Sequence, residues 1–379
     1  MINWNMTTPK KVISGIGSVS YLPELLREMN LRNPFVVIDP KVKEADFGKR
    51  LMGFAKKSFD GFETNPTFSQ VSDGLHLFSE NDYDSIIVVG GGSAIDLAKV
   101  IGLTAANGGK AEEYFQGKKA DVQSVPIIAI PTTCGTGAES SPFAVIMDSS
   151  IPKKRGIESV FFMPTAVILD SEALISLDSV MIAATGMDAF THILESHISK
   201  KATVLTRIVS KGLLCSIREP LEKALNEKDA LALEALQSIA FTARLLYPRT
   251  GLSIAHALSH PLGAFTGLHH GLAVVTFLET SMKYNVSACR DSFREAGRMV
   301  GFSSDDDLFS WLRLFIKESG MAEKISNHLV VYDNLPIERI ASEALQSSNI
   351  PSNPRKIGLS ETCEIINESL LNFRRGYGN

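Results

Sequence analysis

Four short stretches in the first half of the chain are apolar at nearly every position: residues 33–39 (NPFVVID), 83–92 (YDSIIVVGGG), 125–133 (VPIIAIPTT) and 165–170 (TAVILD). A strand with one wet face alternates apolar and polar residues, so near-continuous apolar runs predict strands of a parallel sheet covered on both faces. Segments 69–80 and 93–106 lie between them with helical spacing. Strand and helix in alternation predict an α/β N-terminal domain built on a doubly wound, Rossmann-like parallel sheet. From about Ser179 the strand pattern ends and helical periods take over, at 183–199, 203–226, 228–246, 271–284, 305–319 and 360–373. That half predicts an all-α C-terminal domain. No repeat, low-complexity linker or block of like charge marks the junction, so the boundary falls where the period changes, near 178–182, giving domains at 1–180 and 181–379.

The chemistry-bearing residues concentrate just beyond that boundary. Asp188 and His192 are four apart in an apolar helical segment, which puts both side chains on one face, one turn apart. His256 and His260 repeat the spacing in a second segment, 253–260, which is expected to end before Pro261, and His270 follows the bend at Gly267. One carboxylate with several imidazoles suits iron(II) or zinc, whereas calcium or magnesium would want more oxygens. His76, His197 and His328 read as ordinary hydrogen-bonded histidines. His269 points away from its neighbour His270 and is assigned a supporting or surface role.

Two glycine-bearing loops follow apolar strands. GGGSAIDLAK (90–99) opens a helix, so backbone N–H groups at a positively polarised N-terminus, with Ser93 beside them, suit a pyrophosphate. It is not the GxGxxG pattern, and a tight turn alone would also explain it. PTTCGTGAES (131–140) leaves a second strand with Thr132 and Thr133 as hydroxyl donors, and two such loops favour a dinucleotide over a mononucleotide. Asp39, at the end of an earlier strand, either accepts from a ribose hydroxyl and repels a 2′-phosphate, or serves as the turn residue before Pro40.

Composition narrows the classes. With 379 residues, 44% hydrophobic and 21% charged, the chain is long enough for two globular domains. A formal charge of −4 and a pI near 6.1 give no electrostatic reason to expect nucleic acid or an anionic membrane as partner. No secretory h-region opens the chain and no apolar run reaches the roughly 18 residues of a membrane span, so the expected location is cytoplasmic. Cys134, Cys215, Cys289 and Cys363 lack metal or disulfide spacing and read as reduced thiols.

Taken together, Asn65-Pro66, GGGSAID, PTTCGTGAE, Leu169-Asp170, TGMDAFTH, HALSHPLGAFTGLHHG and Asn353-Pro354-Arg355 resemble the iron-containing, or group III, alcohol dehydrogenase family over nearly the whole chain. The resemblance implies a dinucleotide-binding α/β domain, a helical domain and a divalent metal, Fe2+ or alternatively Zn2+. Carried over by position, it implies Asp188, His192, His256 and His270 as ligands, with His260 near nicotinamide and substrate instead. It places Asn65, Gly91, Gly92, Ser93, Asp96, Thr132, Thr133, Ser141 and Lys154 at the NAD(P) site, and Asp39 where an acidic residue favours NAD over NADP. The chain departs from the family pattern before the third ligand, where TARLLYPRTGLSIAH carries Arg244 and Arg249 in place of small residues, and at His269, where proline is common.

The expected reaction is metal-dependent hydride transfer between a small alcohol or aldehyde and NAD, with His260 either relaying the hydroxyl proton or only hydrogen-bonding cofactor or substrate. Arginine beside the metal would instead suit a carboxylate, phosphate or phosphonate on the aldehyde or hydroxy acid; pairing of both arginines with acidic groups is the alternative. Two further alternatives are a dehydroquinate-synthase-like lyase, against which the four-ligand set argues, and a non-catalytic metal- or nucleotide-binding protein. A homodimer or higher homo-oligomer is expected.

Overall fold

A computed structural model describes residues 6–54, 57–151, 153–332 and 334–377. The chain divides into two compact units, one comprising residues up to Leu177 with Leu233–Leu245, the other Asp178–Ala232 with the chain from Leu246 onward. The short stretch Leu233–Leu245 thus packs with the first unit although the sequence period groups it with the helices around it.

Eight strands are present among the described residues: β1 (Lys11–Ser14), β2 (Pro34–Ile38), β3 (Ser58–Phe59), β4 (Ser85–Gly90), β5 (Ile127–Pro131), β6 (Phe143–Asp148), β7 (Lys153–Glu158) and β8 (Ala166–Leu169). Six form one parallel sheet in the order β1-β8-β5-β4-β2-β3, and β6-β7 form a separate antiparallel pair. Every residue of β2, β4, β5 and β8 is buried, which is the physical content of the four apolar runs. The unanticipated strands are β6 (FAVIMD), apolar at five of its six positions, and three with weak patterns. β1 is a four-residue edge strand, β3 has two residues, and β7 (KKRGIE) is mostly charged.

The register decides where the loops emerge. Ile38 pairs with Val89 and Gly90 with Pro131, so Asp39, the Gly90 loop and Thr132 leave the same end of three adjacent strands. The Asp39 N–H donates to Val89 O at 2.9 Å and the Thr132 N–H to Gly90 O at 3.1 Å. From β2 the chain moves outward to β3, whereas from β4 it moves the other way to β5, so the order reverses between β2 and β4. The carboxyl ends of strands at such a reversal are where doubly wound sheets bind ligands.

The second loop is held from below by the helix Ala230–Arg244. The Ser140 hydroxyl donates to Phe241 O at 2.9 Å, and Gly137 adopts φ +57°. A Cβ there would lie 2.4 Å from Arg244 Cβ and 2.7 Å from Ala240 O, so only glycine allows this approach.

In the second unit, Ser179–Ile198 is buried from Ile182 through Ile198 and starts at Asp178, whose side chain accepts from the Met181 N–H. Two of its helices run past their expected ends. Ile254–Thr266 runs through Pro261 and stops only at Gly267, φ +72°. Proline removes one backbone donor and one intrahelical bond, and the apolar face that continues through Leu262 and Gly263 keeps the helix going. His270–Val300 extends far past residue 284, with a break at Cys289 (φ −140°), because buried Phe293, Ala296, Gly297 and Val300 renew the helical period.

Two expectations follow. Gly137→Ala combines a positive φ with overlap against Arg244 and destabilises the protein by about 1–3 kcal/mol, read as a lower urea midpoint; an unchanged midpoint would contradict the packing. His197 is fully buried, its Nδ1 2.9 Å from Ser210 Oγ, and burial, helped by the Arg207 charge, lowers its imidazole from 6.5 to about 4. Between those values the unfolded chain binds more protons at this ring than the folded one, so stability falls as pH drops through that window and recovers above it, by roughly 3 kcal/mol in full. His197→Gln should flatten this decline in unfolding free energy between pH 6.5 and 4.5.

Candidate active site

At the sheet end, most of the residues implied for the dinucleotide surround the Gly90 loop. Gly91 is the N-cap of the helix Gly92–Asn107, and Asn65, in the left-handed region at φ +62°, presents its N–H to Ser93 Oγ at 3.2 Å. Thr133 and Thr136 of the second loop press against the first: a Cβ on Gly92 would lie 2.9 Å from Thr136 Oγ1, and one on Gly91 3.0 Å from Thr133 Cγ2. Asp39 caps the short helix Pro40–Glu44 by accepting from the Lys41 N–H at 2.9 Å, and its Cβ is 3.4 Å from where a Gly90 Cβ would be. It is therefore both the turn residue and a carboxylate at the loop.

Not every implied residue faces the loop surface. The Asp96 Oδ2 accepts from the Val145 N–H at 3.0 Å and Oδ1 lies 3.5 Å from Lys99 Nζ. Lys99, fully buried, donates to Ala138 O at 2.8 Å and Phe143 O at 2.7 Å. Burial raises the Asp96 and Glu139 carboxyls, the latter to about 7, and lowers the Lys99 amine to about 8. Ser141 Oγ accepts from Phe143 N–H at 3.1 Å and from Arg244 Nη2. Lys154 stands on β7, its amine lowered by burial to about 8. Arg244 is thus buried beneath the second loop, its guanidinium 6.0 Å from the Phe143 ring centroid, while Arg249 is exposed on the short helix Tyr247–Thr250.

In the second unit the geometry is centred on one oxygen. Asp188 Oδ1 lies 3.2 Å from His256 Nε2, 3.7 Å from His270 Nε2 and 3.9 Å from His192 Nε2. Asp188 and His192 come from Ser179–Ile198, His256 from Ile254–Thr266, and His270 from the first residue of His270–Val300. Donor atoms of Asp188, His256 and His270 all lie within 4.8 Å of one another. One carboxylate and three imidazoles at these distances fit a divalent transition metal, iron(II) or zinc. Burial would raise the Asp188 carboxyl, but the three histidines hold it well below the carboxylate range. Burial would lower His256, whereas Glu195 and Asp188 raise it to about 9 in the metal-free protein.

The rings are braced against one another. His192 stacks on His256 (centroids 4.4 Å, 22°) and on Tyr247 (5.2 Å, 23°), and the half-buried His260 ring lies edge-on to His270 at 5.4 Å. His269 caps the start of His270–Val300, its Nδ1 accepting from the Gly271 N–H at 3.3 Å. His328 Nε2 and Tyr332 Oη sit 2.8 and 2.7 Å from Thr266 O and hold the C-terminal end of the His256 helix.

Sequence reasoning missed two supports. Glu195, buried on the same helix face seven residues after Asp188, has Oε2 2.7 Å from His256 Nδ1. Asn353 and Asn285 exchange side-chain hydrogen bonds of 2.9 Å in both directions, and Ser253 Oγ donates to Asn353 Oδ1. A carboxylate two turns on in an otherwise buried run was the available signal for Glu195; Asn353 stands in a motif that carries the family resemblance, but nothing marks Asn285, 68 residues away, as its partner.

The family model described as iron-containing alcohol dehydrogenase matches residues 9–171, and that of the Fe-containing alcohol dehydrogenase family, C-terminal, matches 182–370. The NAD-dependent methanol dehydrogenase of Bacillus methanolicus is 28% identical over 97% of this chain and 100% of its own length. Alcohol dehydrogenase 4 of Schizosaccharomyces pombe is 30% identical over 73% of this chain and 67% of its own. Among solved structures, a 1,3-propanediol oxidoreductase superimposes with a TM-score of 0.87 at 27% identity, covering 97% of this chain and 99% of its own. With both halves of the chain matched and the donor set in place, the protein belongs to the iron-containing alcohol dehydrogenase family, oxidoreductases that act on CH–OH groups.

Proposed function

We propose that the chain transfers hydride reversibly between a small alcohol and NAD, using a divalent metal held by Asp188, His192, His256 and His270. The convergence of three Nε2 atoms on Asp188 Oδ1 is the observation that carries this reading. Iron(II) is the proposed ion and zinc the alternative, since both accept this donor set. When bound, the metal supplies Lewis-acid polarisation of the alcohol oxygen, and NAD supplies the hydride acceptor.

The chain's own residues do the rest. Asp188 contributes the negative charge that partly offsets a dication, and the stacked rings of His192, His256 and Tyr247 restrict where the imidazoles can turn. His260, half-buried beside His270, carries the hydroxyl proton on its imidazole toward solvent. In the first unit, the Gly91 and Gly92 amides and Ser93 meet the pyrophosphate, aided by Asn65 and by the hydroxyls of Thr132 and Thr133. Ser141 already accepts from Arg244 and Phe143 and keeps its own O–H to donate. Asp96 shapes the loop from beneath, Lys154 offers a cation, and Asp39 accepts from the ribose. With Arg244 engaged by Ser141, an anionic substrate would have to rely on Arg249, so neutral aliphatic alcohols are the preferred class. The protein is further proposed to work in the cytoplasm as a homodimer or higher oligomer. A screen of alcohols and aldehydes against NAD and NADP, with metal analysis of the purified protein, tests the reading: no turnover on any of them would overturn it.

Two variants sharpen it. His270 is a quarter exposed, so His270→Ala should leave the fold intact while lowering metal content and removing nearly all activity; full occupancy with parental turnover would refute the ligand assignment. Asp39→Gly should move preference from NAD toward NADP by removing a charge that would face the 2′-phosphate. If the parent uses both cofactors equally, that role is wrong.

A further inference from the structure

Glu195 lies outside the ligand set, yet its carboxylate is nearer to His256 than Asp188 is, at 2.7 against 3.2 Å. It is 4% exposed and stands on the helix that carries Asp188 and His192. Three N–H groups converge on its two oxygens: His256 Nδ1–H and the Ser253 N–H (2.9 Å) on Oε2, and the Ala255 N–H (3.1 Å) on Oε1. Ser253 is the N-cap of the His256 helix by position, but its side chain makes no cap hydrogen bond: its hydroxyl donates to Asn353 and its oxygen accepts from Asn285 Nδ2 at 3.2 Å. Glu195 therefore caps that helix from a neighbouring one, with its charge at the positive end of the helix dipole.

An ionised carboxylate accepts and cannot donate. Its contact with His256 puts a hydrogen on Nδ1, so Nε2, the atom facing Asp188, is the nitrogen that offers a lone pair to a metal once the ring is neutral. We infer that Glu195 is a positioning residue of the metal centre, holding His256 in the Nδ1–H tautomer with its ring plane fixed and pinning the first turn of its helix. The inference rests on the metal reading of the site. Glutamine cannot replace it: whichever way the amide turns, its NH2 meets at least one of three N–H donors, so a full set of bonds needs two acceptor oxygens.

The test compares zinc affinity of the full-length protein, by competition with a chromophoric chelator, and the absorption spectrum after loading with cobalt(II). Glu195→Gln should weaken zinc binding by about 10–100-fold and change the cobalt spectrum. Because Glu195 acts through His256, the same substitution on a His256→Ala background should cost little more than His256→Ala alone. Glu195→Asp, which keeps the charge and withdraws it by one methylene, is the second variant if the glutamine form does not fold, and it too should bind zinc more weakly. A variant with parental zinc affinity and an unchanged cobalt spectrum, even at reduced thermal stability, would show that Glu195 only caps a helix and would overturn the inference. Additive losses in the double variant would do the same. A parent that binds neither zinc nor iron would instead refute the metal reading itself.

Discussion

A carboxylate removed from water must be compensated or neutralised, and Asp188, 1% exposed in the middle of an apolar helix, is compensated by three imidazole nitrogens around one of its oxygens. Those nitrogens come from three helices, so the second unit has to hold three separate backbones in mutual register. It does so at the helix ends, where free N–H and C=O groups offer attachment points. Glu195 holds the start of Ile254–Thr266, His328 and Tyr332 hold its end, and His269 caps the start of His270–Val300. The Asn285–Asn353 pair and Ser352, whose hydroxyl donates to Leu252 O at 3.0 Å, fix the turn before His256. Gly251, at φ +63°, is required in that turn because a Cβ would lie 2.2 Å from Ser352 Oγ.

The first unit solves its positioning problem through sheet register. A parallel pair of strands fixes which residues leave the sheet side by side, and pairing Ile38 with Val89 and Gly90 with Pro131 is enough to bring Asp39, the glycine loop and the two threonines together. Small residues are then needed where the loops touch, which is why Gly91 and Gly92 face Thr133 and Thr136 at contact distances that a methyl group would violate or crowd. The loop conformation is thus a consequence of strand pairing plus close packing, with the Asn65 N–H on Ser93 closing the arrangement from the side.

What could be read from the chain divides along physical lines. Strands buried on both faces announce themselves by unbroken apolar runs, and β2, β4, β5 and β8 were legible for that reason. Edge strands and hairpins carry half that signal, so β1 and the charged β7 were not. Two candidate donors four apart on one helix were visible as Asp188 and His192, and the bend at Gly267 ahead of His270 was visible as a glycine. On spacing alone His256 and His260 were equivalent; the structure separates them, with Nε2 of the first on Asp188 and the ring of the second beside His270. Proline at 261 misled, because a helix with a strong apolar face can spare one hydrogen bond. Glu195 and the Asn285–Asn353 pair escaped because their meaning lies in partners far along the sequence.

Arg244 departs from the family pattern, and its surroundings in the fold fix what that departure does. Along the sequence it precedes His256 by twelve residues, which invites a role at the substrate. In the fold it belongs with the first unit, hydrogen-bonded to Ser141 and in the electrostatic company of Asp96, Lys99 and Glu139. Burial disfavours the charged form of each of those three groups, so the added cation favours ionised Asp96 and Glu139 while opposing the charge on Lys99. Its Cβ also occupies the space that makes glycine obligatory at 137. An arginine at this position therefore acts first on the shape and charge balance of the second glycine loop, and any effect on which alcohol is turned over would be exerted through that loop.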